Sequence, residues 1–341
     1  MSLKRIAEMT GTSISTVSRV LNHTSETCAS KELKDRIWEA ARTTGYRPNE
    51  AARSLKKGVL LSHEKQPDTE GLHISIILAR IDSLEKDPFF YELFRCLEQE
   101  LFAKRITIDE LLYADNAVDE RLKDSDGVIL LGRCTSKLYE MAASYNENLV
   151  GIWRNPMDFS VDEVVCDGQK AAETAMEELL SLGHKSIAYI GNCSYESRYV
   201  GYCDMLIKNH LHIDTSIIRD TDQTFEEAVL SAERLLDDMK EGKADFTSIF
   251  CANDITAIGV LSVLKKEKKS IRDSISVISI DNIEKSQETS PMLTTIDIPR
   301  VEMAHLAVEL LSDRIKRGHT EPVRIEFPCR IIRRGSCHKV M

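Results

Sequence analysis

The sequence predicts an N-terminal all-α head carrying a helix-turn-helix, followed by an α/β body of two lobes built on parallel sheets with helices on both faces. Three observations predict it. Short amphipathic helical stretches, punctuated by Gly11 and Gly45, fill the first 57 residues. From His73 onward, apolar strand-like runs alternate with helical patterns, as in βαβ units. That alternation runs through two successive series, which calls for two lobes. A length of 341 residues agrees with two or three domains.

In the head, Ser2 is placed to cap a helix over Leu3–Met9, Gly11 to make a left-handed turn, and Ser13 to cap a second helix over Ile14–Leu21. Ala7 is small where two helices cross closely, and Ile6, Val17, Val20 and Leu21 have the spacing of buried faces. A third helix over Lys31–Thr44 offers Leu33, Ile37, Trp38 and Ala41 to close the core. Helix, tight turn, helix is the arrangement that lays its second helix in the major groove of DNA. Ile14, Ser15 and Thr16 would then meet base edges, with Arg19 one turn on. Arg19 suits guanine, Ile14 a thymine methyl, and Ser15 several bases. An ordinary three-helix core with no DNA role is the plain alternative.

Charge leans the same way. The chain carries −10 overall, but residues 1–57 hold eleven Lys/Arg against six Asp/Glu, a net +5 that leaves −15 for the rest. A basic head on an acidic body suggests that the head meets a polyanion. The stretch YRPNEAARSLKKG, Tyr46–Gly58, reads as a short helix capped by Asn49 and ended by Gly58. Helices shorter than about 12–15 residues are marginal alone in water, so this one needs a partner surface to order it.

Nine cysteines are odd in number and scattered, with no CxxC pair and no zinc-ligand spacing. They are expected to be small core residues or incidental thiols in a reducing compartment, with no metal site and no cofactor. No apolar run approaches the ~18 residues of a membrane span. The N-terminus lacks the apolar stretch of a secretory signal, so the cytoplasm is the expected compartment, on the nucleoid when bound to DNA.

LKRIAEMTGTSISTVSRVLN, followed by AARTTGYRPNEAARSLKKG, resembles the DNA-binding head of the LacI/GalR family of bacterial regulators. The resemblance continues through SLGHKSIAYIG, ANDITAIGVL, ISVISIDN and SPMLTTI, nearly the whole chain. It implies a hinge helix over residues 49–57 that orders when two copies pack on operator DNA, with Leu55 wedged into the minor groove. The physics agrees: an apolar wedge bends the duplex while neighbouring Arg and Lys neutralise phosphates. The implied DNA-contacting set adds Ser2, Ser13, Ser18 and Asn22 on the head, Tyr46 and Asn49 leading into the hinge, and Ala52, Arg53 and Lys56 beside Leu55. Residues 1–58 make up the head and 59–72 a polar linker. The resemblance further implies lobes like those of periplasmic sugar-binding proteins, joined by three chain crossings. One lobe is expected from 73–158 plus 291–318, the other from 159–290 plus 319–341.

In the body, strands are expected at His73–Ala79, Asp126–Gly132 and Asn148–Trp153, and, in a second series opening at EVVCDG, at Lys185–Gly191, Ser248–Asp254 and Ser276–Asp281. Ligands of parallel sheets bind beyond the carboxyl ends of strands. That rule selects Ala79–Asp82, Trp153–Arg154, Asp167, Asn192–Arg198, Asn253–Asp254 and Asp281–Asn282. Family contacts carry over to Asn253 and Asp281, and to Arg198 in the SYESRYVGY loop. Departures are visible. Trp153-Arg154 stands where Asp-Arg is frequent, so an indole replaces a carboxylate and either stacks on a sugar ring or plugs the pocket. DPFF replaces the common NPFF, with Phe89 and Phe90 expected at the cleft or in the core. Arg5 stands where an acid is usual, and residues 103–126 are atypical. His184 reads as a turn residue between helix and strand, because no nucleophile motif accompanies it.

The reading is a dimeric, sequence-specific repressor on a near-palindromic operator, released by a mono- or disaccharide. An apolar face of Val301–Lys316 (Met303, Ala304, Ala307, Leu310, Leu311) is expected to help pair the subunits. Rivals are a nucleobase co-repressor, a phosphoprotein partner, or a sugar-converting enzyme with an appended DNA-binding head. The last lacks any metal pattern, phosphate-cradling loop or nucleophile elbow.

Overall fold

The computed structural model describes residues 3–22, 29–44, 71–79, 83–84, 87–114, 120–157, 159–194, 196–267 and 274–340. Ser2, the side chain of Asn22, and the hinge residues Tyr46, Asn49, Ala52, Arg53, Leu55 and Lys56 lie outside the described residues, as do Arg80–Asp82. The chain divides into two compact units, Met1–Ile74 with Leu97–Asp109, and Ser75–Cys96 with Glu110–Met341.

The head is three helices, α1 (Leu3–Thr10), α2 (Ile14–Asn22) and α3 (Lys31–Thr44). Gly11 takes φ 65°, a conformation that a side chain disfavours, and so turns α1 into α2. Ser13 caps α2 as expected: its Oγ accepts from Thr16 N at 3.0 Å. Ile6, Val17, Ile37 and Trp38 meet in the buried core with Ala7 and Ala41. Each fully buried Ile or Val there contributes about 1.5–3 kcal/mol. Arg36 Nη2 donates to Thr10 O at 2.9 Å, which ties α3 to the end of α1.

Strands and helices then alternate: β1 (His73–Leu78), α4 (Pro88–Ala103), β2 (Thr107–Tyr113), β3 (Gly127–Leu131), α5 (Ser136–Tyr145), β4 (Leu149–Trp153) and β5 (Asp162–Val165). The second series is α6 (Gly168–Ser181), β6 (Ile187–Gly191), α7 (Ser197–Lys208), β7 (Ile218–Asp220), α8 (Phe225–Lys240), β8 (Ser248–Cys251), α9 (Asp254–Leu264), β9 (Ser276–Asp281) and β10 (Thr294–Asp297). Helix α10 (Arg300–Ile315), β11 (Arg324–Glu326) and β12 (Arg330–Ile332) follow. The strands form two six-stranded sheets, ordered β11-β5-β4-β3-β1-β2 and β12-β10-β9-β8-β6-β7. Every residue of β3, β4, β6 and β9 is buried, the mark of sheets covered on both faces.

Strand membership moves the expected lobe limits. β5 belongs to the first sheet and pairs in parallel with β4, so the first crossing falls after Val165 and not at 158. β10 pairs with β9 in the second sheet, so the return crossing falls after Asp297 and not at 291. β11 pairs with β5 in the first sheet, which places the third crossing between Glu326 and Arg330 and not at 319. The atypical 103–126 segment holds a full strand, β2. The strand expected over Ser248–Asp254 stops at Cys251, because Asn253 accepts from Thr256 N at 2.8 Å and starts α9.

The face expected to pair subunits is also corrected. Met303, Ala304, Ala307 and Leu311 are buried within the chain, where α10 packs on β3, β4 and β5. They are core residues of the first lobe. His184 is structural: its Nδ1 meets Thr247 Oγ1 at 2.8 Å, and its Nε2 meets Ser276 Oγ and His338 O, each at 3.0 Å. Burial lowers its pKa, which keeps the ring neutral. Among the described residues, no helix is long and apolar enough to cross a membrane.

Candidate functional site

On the head, α2 presents its first turn outward. Ser13, Ile14, Ser15 and Arg19 are exposed, whereas Thr16 and Ser18 are half-buried. Ile14 is 48% exposed, unusual for a residue with no partner surface on its own helix. Ser13 Oγ lies 2.8 Å from both Ser15 Oγ and Thr16 Oγ1, so the three hydroxyls form one small cluster at the helix start. Arg19 Nε reaches back to Ser15 O at 3.3 Å. A basic side chain, an apolar one and a set of hydroxyls on one helix end are the chemistry of a base-reading surface. Arg5 pairs with Glu8 at 3.6 Å on the exposed face of α1.

In the body, the carboxyl ends of the two sheets face one cleft. From the first sheet, Arg154 follows β4 and places Nη2 2.7 Å from Asp281 Oδ1 at the end of β9. Arg154 Nε and Trp153 Nε1 are buried polar atoms with no hydrogen-bond partner among the described residues. The Arg154 guanidinium stands 4.0 Å from the centroid of Phe89, a cation–π contact that fixes its height. Phe90 meets Phe89 edge-on at 5.4 Å. Asp87 Oδ1 accepts from the backbone N of both phenylalanines, at 3.1 and 3.2 Å. The DPFF departure therefore keeps the helix cap, since Asp and Asn cap about equally well.

Asp281 is held in an uncommon backbone conformation, φ 130°, and Asn282 follows at φ 50°. Such geometry costs on the order of 1–3 kcal/mol and persists only where neighbours impose it. Arg300 imposes it here, donating to the backbone oxygens of both Asp281 and Asn282. Glu92 lies 3.3 Å from Arg300 and accepts from Glu284 N at 3.0 Å. Burial raises the pKa of Asp281, with Arg154 and Arg198 pulling against it.

On the second-sheet side, Arg198 is locked. Its Nε and Nη2 each donate to Glu196 at 2.8 Å, Nη1 donates to Ala252 O at 2.7 Å, and Nη2 also reaches Gln223 Oε1 at 2.9 Å. Burial alone would raise Glu196, but Arg198 outweighs it and brings the carboxylate down to about 2. Asn253 sits beside this network, its Nδ2 3.5 Å from Gln223 O.

Two expectations are corrected. Asp254 is fully buried, and its oxygens accept from Ser279, Thr295 and the backbone N of Ile283. With both oxygens taken, it shapes the loop after β9 and offers nothing to a ligand. Burial and nearby Asp281 push it up to about 7. Trp153 is 3% exposed and packs in the first-lobe core against Phe159, its ring covering Gly151. It plugs the sheet end and gives no open face for stacking. The cleft thus brings together Phe89, Arg154, Asp281, Arg198 and Asn253. Sequence reasoning covered Glu196 only within the span Asn192–Arg198, and missed Gln223, Glu92 and Arg300. Glu196 had a signal, an acid two residues before the chosen arginine, whereas Gln223, Glu92 and Arg300 arrive from distant elements.

A DNA-reading head joined to a two-lobed cleft defines a ligand-responsive DNA-binding regulator. The family model described as bacterial regulatory proteins of the lacI family matches residues 2–49, and that of a periplasmic binding protein-like domain matches residues 176–337. The chain is 27% identical to the HTH-type transcriptional repressor MelR of Bacillus subtilis (strain 168), over 98% of this chain and 97% of that protein. It is 28% identical to the HTH-type transcriptional repressor CytR of Escherichia coli (strain K12), over 98% and 96%. The crystal structure of a LacI family regulator from Enterococcus faecium with bound ribose matches at TM-score 0.68 and 25% identity, covering 79% of this chain and 99% of that one. Over nearly its whole length the chain is similar to transcriptional regulators of the LacI/GalR family, which supports a DNA-binding regulator.

Proposed function

We propose that the protein is a dimeric cytoplasmic repressor of carbohydrate-utilisation genes, released from a near-palindromic operator when a mono- or disaccharide enters the interlobe cleft. One observation carries the sugar reading: Arg154 and Asp281 come from opposite sheets to 2.7 Å, and Arg154 keeps a buried Nε with no hydrogen-bond partner among the described residues. A free N–H beside a carboxylate, whose oxygens can each accept more than one hydrogen bond, matches a hydroxyl, which accepts and donates at once. Adjacent hydroxyls of a sugar repeat that match more readily than the flat edge of a nucleobase. The ribose carried by the Enterococcus faecium relative supports the same ligand class.

The proposed mechanism is linkage. A sugar that binds one arrangement of the lobes better than the other shifts the population toward it, and the hinge helices follow. In the operator-bound form, Leu55 wedges the central base step while Arg53 and Lys56 neutralise phosphates. Calorimetry with a panel of sugars and nucleobases tests the reading. A sugar is expected to bind wild type, and Asp281→Ala to lose that binding while retaining operator affinity. A response to nucleobases alone, or sugar binding untouched in Asp281→Ala, rejects it. Leu55→Ala is expected to weaken operator binding far more than binding to random duplex.

A further inference from the structure

Two of the three crossings between the sheets carry a cysteine. Cys166 is the residue between Val165, the end of β5, and Asp167, the cap of α6. Cys329 immediately precedes β12. These crossings run side by side: β5 pairs with β11 through Val165 and Glu326, and Phe327 N donates to Val165 O at 2.8 Å. The two sulfurs lie 3.6 Å apart, although 163 positions separate them in the chain. A disulfide is about 2.05 Å long, so closing this one requires a movement of about 1.5 Å.

We propose that Cys166 and Cys329 are a redox-sensitive thiol pair that closes to a reversible disulfide and ties the first crossing to the third. Cys329 is half-exposed and open to an oxidant, whereas Cys166 is fully buried behind it. The Cys166 thiol hydrogen-bonds to Cys329 and lowers its pKa against burial and the nearby Asp167 and Glu326 carboxylates, with a smaller contribution from Lys170. Every other described thiol is shifted the opposite way, with burial the leading cause for Cys96, Cys134, Cys193, Cys203, Cys251 and Cys337. Reactivity follows thiolate character and access, and Cys329 has both.

The oxidant is hydrogen peroxide. The Cys329 thiolate attacks one peroxide oxygen, the O–O bond breaks, and with one proton taken up the products are a Cys329 sulfenic acid and water. The Cys166 sulfur then attacks the sulfenic sulfur. The S–S bond forms, the S–O bond breaks, and the departing hydroxide takes the Cys166 proton to leave as water. Two thiols lose two electrons and one peroxide becomes two waters. A thiol reductant reverses the bond by exchange and is itself oxidised. In a reducing compartment such a bond is transient, as a sensor requires. Once closed, the β5–α6 and β11–β12 joints move as one, which restrains the lobe motion on which the proposed effector response depends. The bond itself is independent of that response, so its test stands apart.

Full-length protein is exposed to hydrogen peroxide, alkylated and digested. A linked Cys166–Cys329 peptide is expected, formed at least tenfold faster than any other thiol product, reversed by dithiothreitol, and absent from Cys329→Ser and Cys329→Ala. Amide hydrogen exchange across residues 165–169 and 326–330 is expected to slow at least tenfold in the oxidised wild type and to be unaffected by peroxide in Cys329→Ser. Cys166 left fully alkylatable after peroxide, or a linked peptide formed no faster than other products, overturns the thiol pair. A linked peptide without slowed exchange overturns the restraint on the crossings.

Discussion

The two sheets end at the same cleft but finish their ends differently. On the second sheet, Arg198 is bound on all sides by Glu196, Ala252 and Gln223. On the first, Arg154 holds a ring face and a carboxylate yet leaves Nε unpaired among the described residues. One wall is finished before any ligand arrives; the other keeps unmet hydrogen-bonding capacity. A buried polar group without a partner costs about 1–3 kcal/mol, and a ligand can relieve that cost. The finished wall therefore sets shape, while the unfinished one rewards the ligand that completes it.

The largest expected effect comes from breaking the finished wall. Arg198→Ala strands the buried Glu196 carboxylate and should destabilise the body by about 3–5 kcal/mol in denaturant unfolding. Next comes acid. Glu196 lies below its ordinary 4.5, at about 2, so its stabilisation, about 3 kcal/mol, is complete above 4.5 and lost as pH falls toward 2. Stability measured over that window should show the slope in wild type, and a flatter one in Glu196→Gln. A smaller loss is expected on the other wall from Gly151→Ala, whose Cβ would fall 2.0 Å from the Trp153 ring. Overpacking of that kind costs about 1–3 kcal/mol, read from the melting temperature. Least of all, Arg154→Gln should cost less stability than either, because Asp281, already raised by burial, can take up a proton and keeps Arg198 and Arg300 nearby, while sugar affinity weakens about tenfold, or about 1.4 kcal/mol, by calorimetry. A larger loss of stability in Arg154→Gln than in Arg198→Ala would reverse the assignment of the two walls.

Legibility tracked sequence separation. The three described helices of the head were readable almost to the residue, because a serine cap, a glycine turn and a short apolar period are all local signals. The strand-end rule located Arg154, Arg198, Asn253 and Asp281 for the same reason, since each lies within a few residues of an apolar run. What failed was long-range. Nothing local distinguishes Asp254, whose partners Ser279 and Thr295 come from other strands, from an acid left free for a ligand. β5 is a short run of DEVV whose membership is decided by its neighbours β4 and β11. The apolar stripe of α10 was visible as apolar, but periodicity does not say whether a partner subunit or the chain's own sheet covers it. Cys166 and Cys329 looked unrelated because only the paired crossings bring them together.

The threading of the last strands has a consequence for synthesis on the ribosome. The buried head core draws on residues between Ile6 and Ala41, so it can form while most of the chain is still untranslated. Neither sheet has that freedom: the first awaits β11 and the second awaits β12. His184, near the middle of the message, finds its carbonyl partner only when His338 emerges. At about 5–20 residues per second, the nascent protein can hold a folded three-helix head for many seconds before its two sheets are complete.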